Sequence, residues 1–329
     1  EIKLKSQLVI VALCSLLILV TACSKKPATS TSEFGTNTSK SLSLNIPQAL
    51  IPAGKFIRGS NREDDVAMRQ QYGFPEPLFL DEHPMKKVYL DAYKIDTYEV
   101  TNKQFKAYLM QTMNMLPDAW MKNGYAITEE QLNKLDVDKL RKMASDVFLV
   151  DRDTGKMEKK DLLTAIIEKQ KQKDNLPITG VSWFMARDFC KWRKARLPTE
   201  AEWEKAARGP DGLEFPWGND WDPKKTNTGD DGQWEDGIAP VGSYKDNKSP
   251  YGVYDLSGNV WEWVNDWYEP YEGSTYKTKA FGKQNRVLRG GGGGLGHYSI
   301  SYFFRGATRQ FSDPKMESDD VGFRCASDV

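Results

Sequence analysis

The chain is sparing with side chains that do redox or metal chemistry: four cysteines (Cys14, Cys23, Cys190, Cys325) and two histidines (His83, His297) among 329 residues. There is no Cys-x-x-Cys pair, and a zinc site of the usual Cys/His spacing is not available. Asp151, Asp153 and Gly155 open like a calcium loop, but the twelfth position, which needs a bidentate Glu, is Leu162; a turn is expected instead. The glycine run 290–294, continued by Leu295 and Gly296, lacks the GxxxxGK[ST] of a phosphate loop. Such glycines suit tight turns or the close approach of a partner's backbone. In an oxidising compartment Cys190 and Cys325 are most simply a disulfide, with a reactive or metal-binding cysteine as the alternative. A bridge closing so long a loop would contribute about 4–5 kcal/mol in the chain-entropy model.

The compartment is indicated by the first residues. Lys3 and Lys5 precede an apolar run from Leu8 to Val20, long enough for a signal-peptide core and short for a membrane span. Val20-Thr21-Ala22-Cys23 then resembles a bacterial lipoprotein cleavage box. The expectation is a signal peptide over 1–22, lipid on Cys23 and a Ser/Thr/Lys-rich flexible tether over 23–45; an uncleaved anchor is the alternative. Ser24, rather than Asp, favours the outer membrane over the inner. Lys+Arg and Asp+Glu both number 46, so nothing suggests nucleic-acid binding. Ten tryptophans suit an aromatic-rich core, or a peptide or sugar groove.

The elements that must carry any site are short. Residues 51–60 read as a strand, a turn at Ala53-Gly54 and a second strand; alternating Val88, Leu90, Tyr93 and Ile95 give another strand pair. Thr101 caps a helix with Phe105, Tyr108 and Leu109 on one face. Residues 112–175 form a charged helical insertion, with apolar positions at Leu132, Leu135, Leu140 and Met143, then Leu162, Leu163, Ile166 and Ile167. Val181-Ser182-Trp183 is expected to end a strand before a helix carrying Ala186, Phe189 and Cys190. Thr199 and Glu202 form a capping box for the next helix, which stops at Gly209. Beyond it the chain is loop-rich, pointing to an irregular α+β fold.

Eight motifs occur in order: IPAG (51–54), DTYEVT (96–101), RLPTEAEWE (196–204), FPWG (215–218), APV (239–241), YGVYDLSGNVWEW (251–263), RVLRGG (286–291) and VGFRC (321–325). Together they resemble the formylglycine-generating enzyme (sulfatase-modifying factor) family over about residues 46–328. The resemblance implies a C-type-lectin-like α+β fold, interrupted here by the 112–175 insertion. It also implies copper-dependent oxidation of a sulfatase cysteine. Cu(I) is a soft ion that takes thiolates, yet the positions of the family's copper cysteine pair are Gly296 and Ser301. Copper is therefore not expected. Of the family's two disulfides, Cys190–Cys325 is kept, whereas the second would fall on Ala207 and Gly306, both halves missing. Structural calcium is implied at Asn259, Val260 and Glu262, with Asn259 as a turn residue and Glu262 paired to an arginine as the alternative. A second site is implied at Asn227 and Thr228 with Asp231 or Asp236. The Gly-Gly-Ser-Trp usual in relatives is lost at the glycine run.

These features lead to the expectation of a lipid-anchored envelope protein that binds or scaffolds a protein or peptide, as the gliding and secretion lipoproteins of the family do. Its candidate surface is His297, Tyr298, Tyr302, Arg305 and Arg309, since aromatics and arginines anchor interfaces. The alternatives are a periplasmic enzyme of other chemistry, with Asp266, Glu269 or His297 as acid or base, and an oxidase with an unusual copper site. A three-histidine iron site cannot be built from two histidines.

Overall fold

The computed structural model describes residues 44–230, 232–234, 237–292 and 300–329. The expected signal peptide and all but the end of the tether, including Cys23, lie outside them. The chain divides into two units, 46–119 with 170–329, and 120–169.

In the larger unit the alternation of apolar residues gives short strands, but their partners are distant. β1 (Gln48–Ile51) and β2 (Gly54–Arg58) follow one another and do not pair. β3 (Lys86–Leu90) runs antiparallel to β2, and β4 (Tyr93–Asp96) antiparallel to β1. β9 (Ala326–Asp328) completes the sheet β1-β4-β9. A second sheet has the order β7-β6-β5-β8: Gln310–Ser312, Arg286–Arg289, Trp261–Trp267 and Val321–Phe323. β5 is antiparallel to β6, so Glu262 faces Arg289, and parallel to β8.

The helices follow their caps. After a short α1 (Val66–Tyr72), α2 (Asn102–Thr112) begins at a capping box of Thr101 and Gln104, burying Phe105, Tyr108 and Leu109. The expected strand end at Val181–Trp183 is not formed. Ser182 accepts from the Met185 N–H and caps a helix that begins at Trp183, so a hydroxyl before an amphipathic run outweighs the β-branched Val181. That helix (Trp183–Trp192) buries Ala186, Phe189 and Cys190, and the next (Glu200–Arg208) starts at the Thr199–Glu202 capping box and stops at Gly209, φ 66°. Trp203, Ala206 and Ala207 pack with Ile51, Tyr93, Ile95, Val253, Val264 and Val287 in the main core.

The smaller unit holds helices Glu129–Asn133 and Val137–Asp146 and most of Lys159–Gln172. Leu132, Leu140, Met143, Ala144, Phe148, Leu162 and Ile166 form its core, in line with their helical spacing. Residues 154–156 form a 3-10 turn, in line with the turn read there. With Asp118–Lys122 counted, the α-helices that follow α2 among the described residues are α3 (118–122), α4 (129–133), α5 (137–146), α6 (159–172), α7 (183–192), α8 (200–208) and α9 (Ser301–Phe304). Among the described residues no helix is long and apolar enough to cross a membrane.

Cys190 of α7 is bonded to Cys325 just before β9, across 135 positions of sequence, and both are fully buried. Closing a loop of that length restricts the unfolded chain by about 5 kcal/mol in the chain-entropy model. The Cys190→Ala/Cys325→Ala chain is expected to lose several kcal/mol of that in denaturant unfolding, with the main-core tryptophan fluorescence unchanged before the transition.

Candidate functional site

The region to which the motifs point is built on charge inside the protein. Helix α8 carries Glu200, Glu204 and Arg208, which are buried alongside Trp203. Arg289, from β6, is fully buried and donates Nη1 to Glu200 at 3.0 Å and Nη2 to Glu204 at 2.9 Å. Arg309 donates Nε and Nη2 to Glu200 at 2.7 and 3.0 Å, and Nη1 to the Asp81 carbonyl at 2.9 Å. Arg208 reaches the other oxygen of Glu204 at 2.6 Å. Arg305 forks onto Glu82 at 2.7 and 3.1 Å, and its Nε donates to Glu214 at 2.6 Å. Despite burial, the Glu200 carboxyl is held below its usual range by Arg309 and Arg289.

This network corrects the expected binding surface. Arg305, Arg309 and Tyr302 are buried at 3%, 2% and 7% exposure and are not available to a partner. The physical reason is that carboxylates from distant sequence, Glu82 and Glu200, make their burial affordable to the fold. Tyr302 packs edge-on to Phe79 at 5.2 Å. Gly296, His297 and Tyr298 lie outside the described residues. What remains partly exposed around α9 is aromatic: Phe303 against Phe74 (5.6 Å, edge-on), and Trp217 and Trp221 beside Phe215 and Phe304. Ser301 is the first residue of α9 and half-buried. The glycines before it serve close packing. A Cβ on Gly291 would stand 2.7 Å from the Phe303 carbonyl oxygen, and one on Gly292 2.7 Å from the Trp261 ring.

The implied calcium residues are brought together but are otherwise engaged. Arg324 donates Nε and Nη2 to Glu262 at 2.7 Å each, and Trp203 Nε1 adds a third bond at 3.0 Å. Asn259, at φ 67°, accepts from Asn227 Nδ2 and the Ala239 N–H, and donates to Glu99 and the Ala239 carbonyl. Every hydrogen-bonding position of that amide is used, and both Glu262 oxygens face N–H donors. This arrangement, with Val260 between them, does not fit a calcium ion, whose shell is all oxygen lone pairs. It matches the alternative reading, a turn asparagine and an arginine-paired glutamate. Asn227 Oδ1 accepts from the Gly229 N–H and Thr228 Oγ1 from Asp230, while Asp231 and Asp236 lie outside the described residues. Among the described residues no group of three His, Cys, Asp or Glu is placed to hold a metal.

Sequence reasoning missed several charged groups here. Glu99 and Asp255 are buried carboxyls beside Arg324; desolvation and then the Asp255 charge raise Glu99, and desolvation, with a smaller push from Glu262, raises Asp255 to about 6. Asp266, already a candidate acid or base in the sequence, is half-buried, accepts from the Glu200 N–H at the start of α8 at 2.7 Å, and is raised to about 6, chiefly by burial and then by Glu200. Arg286 is sandwiched between Trp183 and Trp267, its guanidinium carbon 3.7 and 3.5 Å from the ring centres. The Glu200, Glu204 and Arg208 spacing of i, i+4, i+8 on a helix face shared with Ala207 was the one available signal.

A family model, the sulfatase-modifying factor enzyme 1-like domain, matches residues 34–329. The chain belongs to this family. It is 32% identical to the formylglycine-generating enzyme of Mus musculus over 84% of this chain and 74% of that protein. It is 31% identical to that of Streptomyces coelicolor over 86% and 89%, and 30% identical to the inactive C-alpha-formylglycine-generating enzyme 2 of Mus musculus over 84% of each. The sulfatase-modifying factor family thus holds both active enzymes and inactive members. In fold, the chain resembles PvdO from Pseudomonas aeruginosa (TM-score 0.55, 24% identity, 86% and 94% covered). It also resembles Treponema denticola variable protein 1 (TM-score 0.53, 20% identity, 86% and 95% covered). The mixed α+β, C-type-lectin-like architecture read from the motifs is the architecture of this family member.

Burial raises Asp81 to about 6, against the opposing charge of Arg309. Its folded value lies above the unfolded one of about 4, so its contribution is complete below that value and is lost as pH rises through about 6. Asp81→Asn keeps an acceptor for the Tyr268 hydroxyl, which donates to Asp81 at 2.9 Å. The variant is expected to lose less stability than wild type between pH 4.5 and 7 in urea unfolding at matched salt.

Proposed function

We propose that the protein is an exported, lipid-anchored envelope protein whose sulfatase-modifying-factor domain binds or scaffolds a protein or peptide partner and does not oxidise it. The observation that carries this reading is the state of the thiols. The domain has two cysteines, Cys190 and Cys325, and both are consumed in one fully buried disulfide. The resemblance places the copper pair at Gly296 and Ser301, neither of which offers a thiolate. A soft Cu(I) ion is therefore left without its ligands there. The inactive relative at 30% identity supports a family role without the reaction. For the partner, the half-exposed aromatics Phe74, Phe303, Trp217 and Trp221 take the place of the buried arginines as candidate anchors. The envelope setting rests on the apolar run ending at Thr21-Ala22-Cys23.

A second reading, an enzyme of other chemistry, is favoured by Asp266, a half-buried carboxyl raised to about 6 and so suited to proton transfer near neutral pH.

Copper-loaded protein, incubated aerobically with a peptide carrying Cys-x-Pro-x-Arg, is expected to leave the peptide thiol intact by mass spectrometry; aldehyde formation would end the scaffold reading. The anchor is tested separately. Cys23→Ala is expected to abolish metabolic labelling with a radioactive fatty acid and move the protein out of the membrane fraction; unchanged labelling would remove the lipid from the proposal.

A further inference from the structure

Three of the ten methionines fall within six residues, at Met110, Met113 and Met115, where α2 ends. They are 78%, 91% and 83% exposed. Methionine ordinarily fills gaps in cores, and leaving a thioether side chain in water forgoes its burial energy. The exposure is accompanied by a second departure. Met113 is the C-cap of α2 in the left-handed region, φ 53°, its N–H still bonded to the Leu109 carbonyl at 2.8 Å. Glycine or asparagine suits that position; methionine there gains no packing and carries the cost of a Cβ. Neither local conformation nor core packing accounts for these residues.

Their chemistry does. Met110 and Met113 are three apart where α2 ends, so their Cα atoms stand about one helical turn apart. Met115 follows two residues beyond the left-handed turn. Each side chain has three rotatable bonds to bring its sulfur to a common point. The segment 107–117 contains no charged residue, histidine or cysteine, so hard dications and zinc find no carboxylate, imidazole or thiolate in it. Asn114 is turned back, its Nδ2 donating to the Tyr108 hydroxyl at 2.6 Å.

We propose that Met110, Met113 and Met115 form a thioether site for a soft monovalent cation of the Cu(I)/Ag(I) class. It binds the ion without changing its oxidation state. It is separate from the family's cysteine positions and does not depend on the functional reading above.

Ag(I), which is not oxidised in air, is the probe. The full chain in detergent, with any remaining Cys14 or Cys23 thiol blocked by N-ethylmaleimide and methionine methyls labelled with carbon-13, is titrated by NMR. The methyl signals of Met110, Met113 and Met115 are expected to shift together and saturate at about one equivalent. Met85, 48% exposed and alone, is the internal control and should stay in place. A single Met113→Leu change is expected to weaken binding about tenfold. The Met110→Leu/Met113→Leu/Met115→Leu chain should show no response at one equivalent while keeping the parent's circular dichroism, since exposed sites tolerate the volume-conserving swap. Absence of shifts in the three methyls, or a shift of Met85 at the same Ag(I) concentration, overturns the proposal.

Discussion

The larger unit depends on placing full charges where water does not reach. Arg289, Arg305, Arg309 and Arg324 are each exposed by 3% or less, and each meets a carboxylate of the same interior. Isolated, any one of these ions would cost several kcal/mol to bury, and removal of a single partner from such a pair commonly costs about 3–5 kcal/mol. Satisfied together, they act as directional fasteners. Glu200 joins α8 to Arg289 on β6 and to Arg309 before β7; Glu262 joins β5 to Arg324 after β8. Apolar surfaces could bring these segments together in several registers. Bidentate guanidinium–carboxylate geometry accepts one. This suits a fold whose strands are three to seven residues long and whose backbone ladders alone specify little.

That dependence explains which parts of the molecule were legible in the sequence. Helix starts were readable at Thr101 and Thr199 because a capping box is a local chemical unit spanning four residues. The Ser182 cap carries the same hydroxyl signal, and it outweighs the β-branched Val181 from which a strand end was expected. The cores of both units were readable from periodicity. Pairing was not. β1 and β2 are separated by two residues and enter different sheets, and the residues that decide this lie on β3 and β4. Arg305 and Arg309 read as surface anchors because arginine is usually exposed. Their burial is set by Glu82 and Glu200, more than 100 positions away, whose proximity no local pattern encodes. Asn259 and Glu262, read as calcium ligands from the resemblance, have their hydrogen bonds spent within the protein.

The thiol inventory and the network bear on function from opposite sides. The domain's two thiols are joined in a bond that secures α7 to the segment before β9. The charged interior is likewise committed to structure. What these leave uncovered is the half-exposed aromatics around α9, the Asp266 carboxyl and the methionines at the end of α2.

The strand order also governs how the protein can be made. Residues 321–328 supply β8, which lies parallel to β5, and β9, which completes the sheet started by β1 and β4, while the Cys325 N–H donates to Asp96. A growing chain that stops short of residue 321 has neither sheet complete, cannot close the disulfide and lacks Arg324 for Glu262. Closure therefore follows rather than accompanies synthesis of the domain, since non-local pairings must await their last segment. Under the export proposed above, this would keep the chain threadable through a narrow channel until its far end has been made.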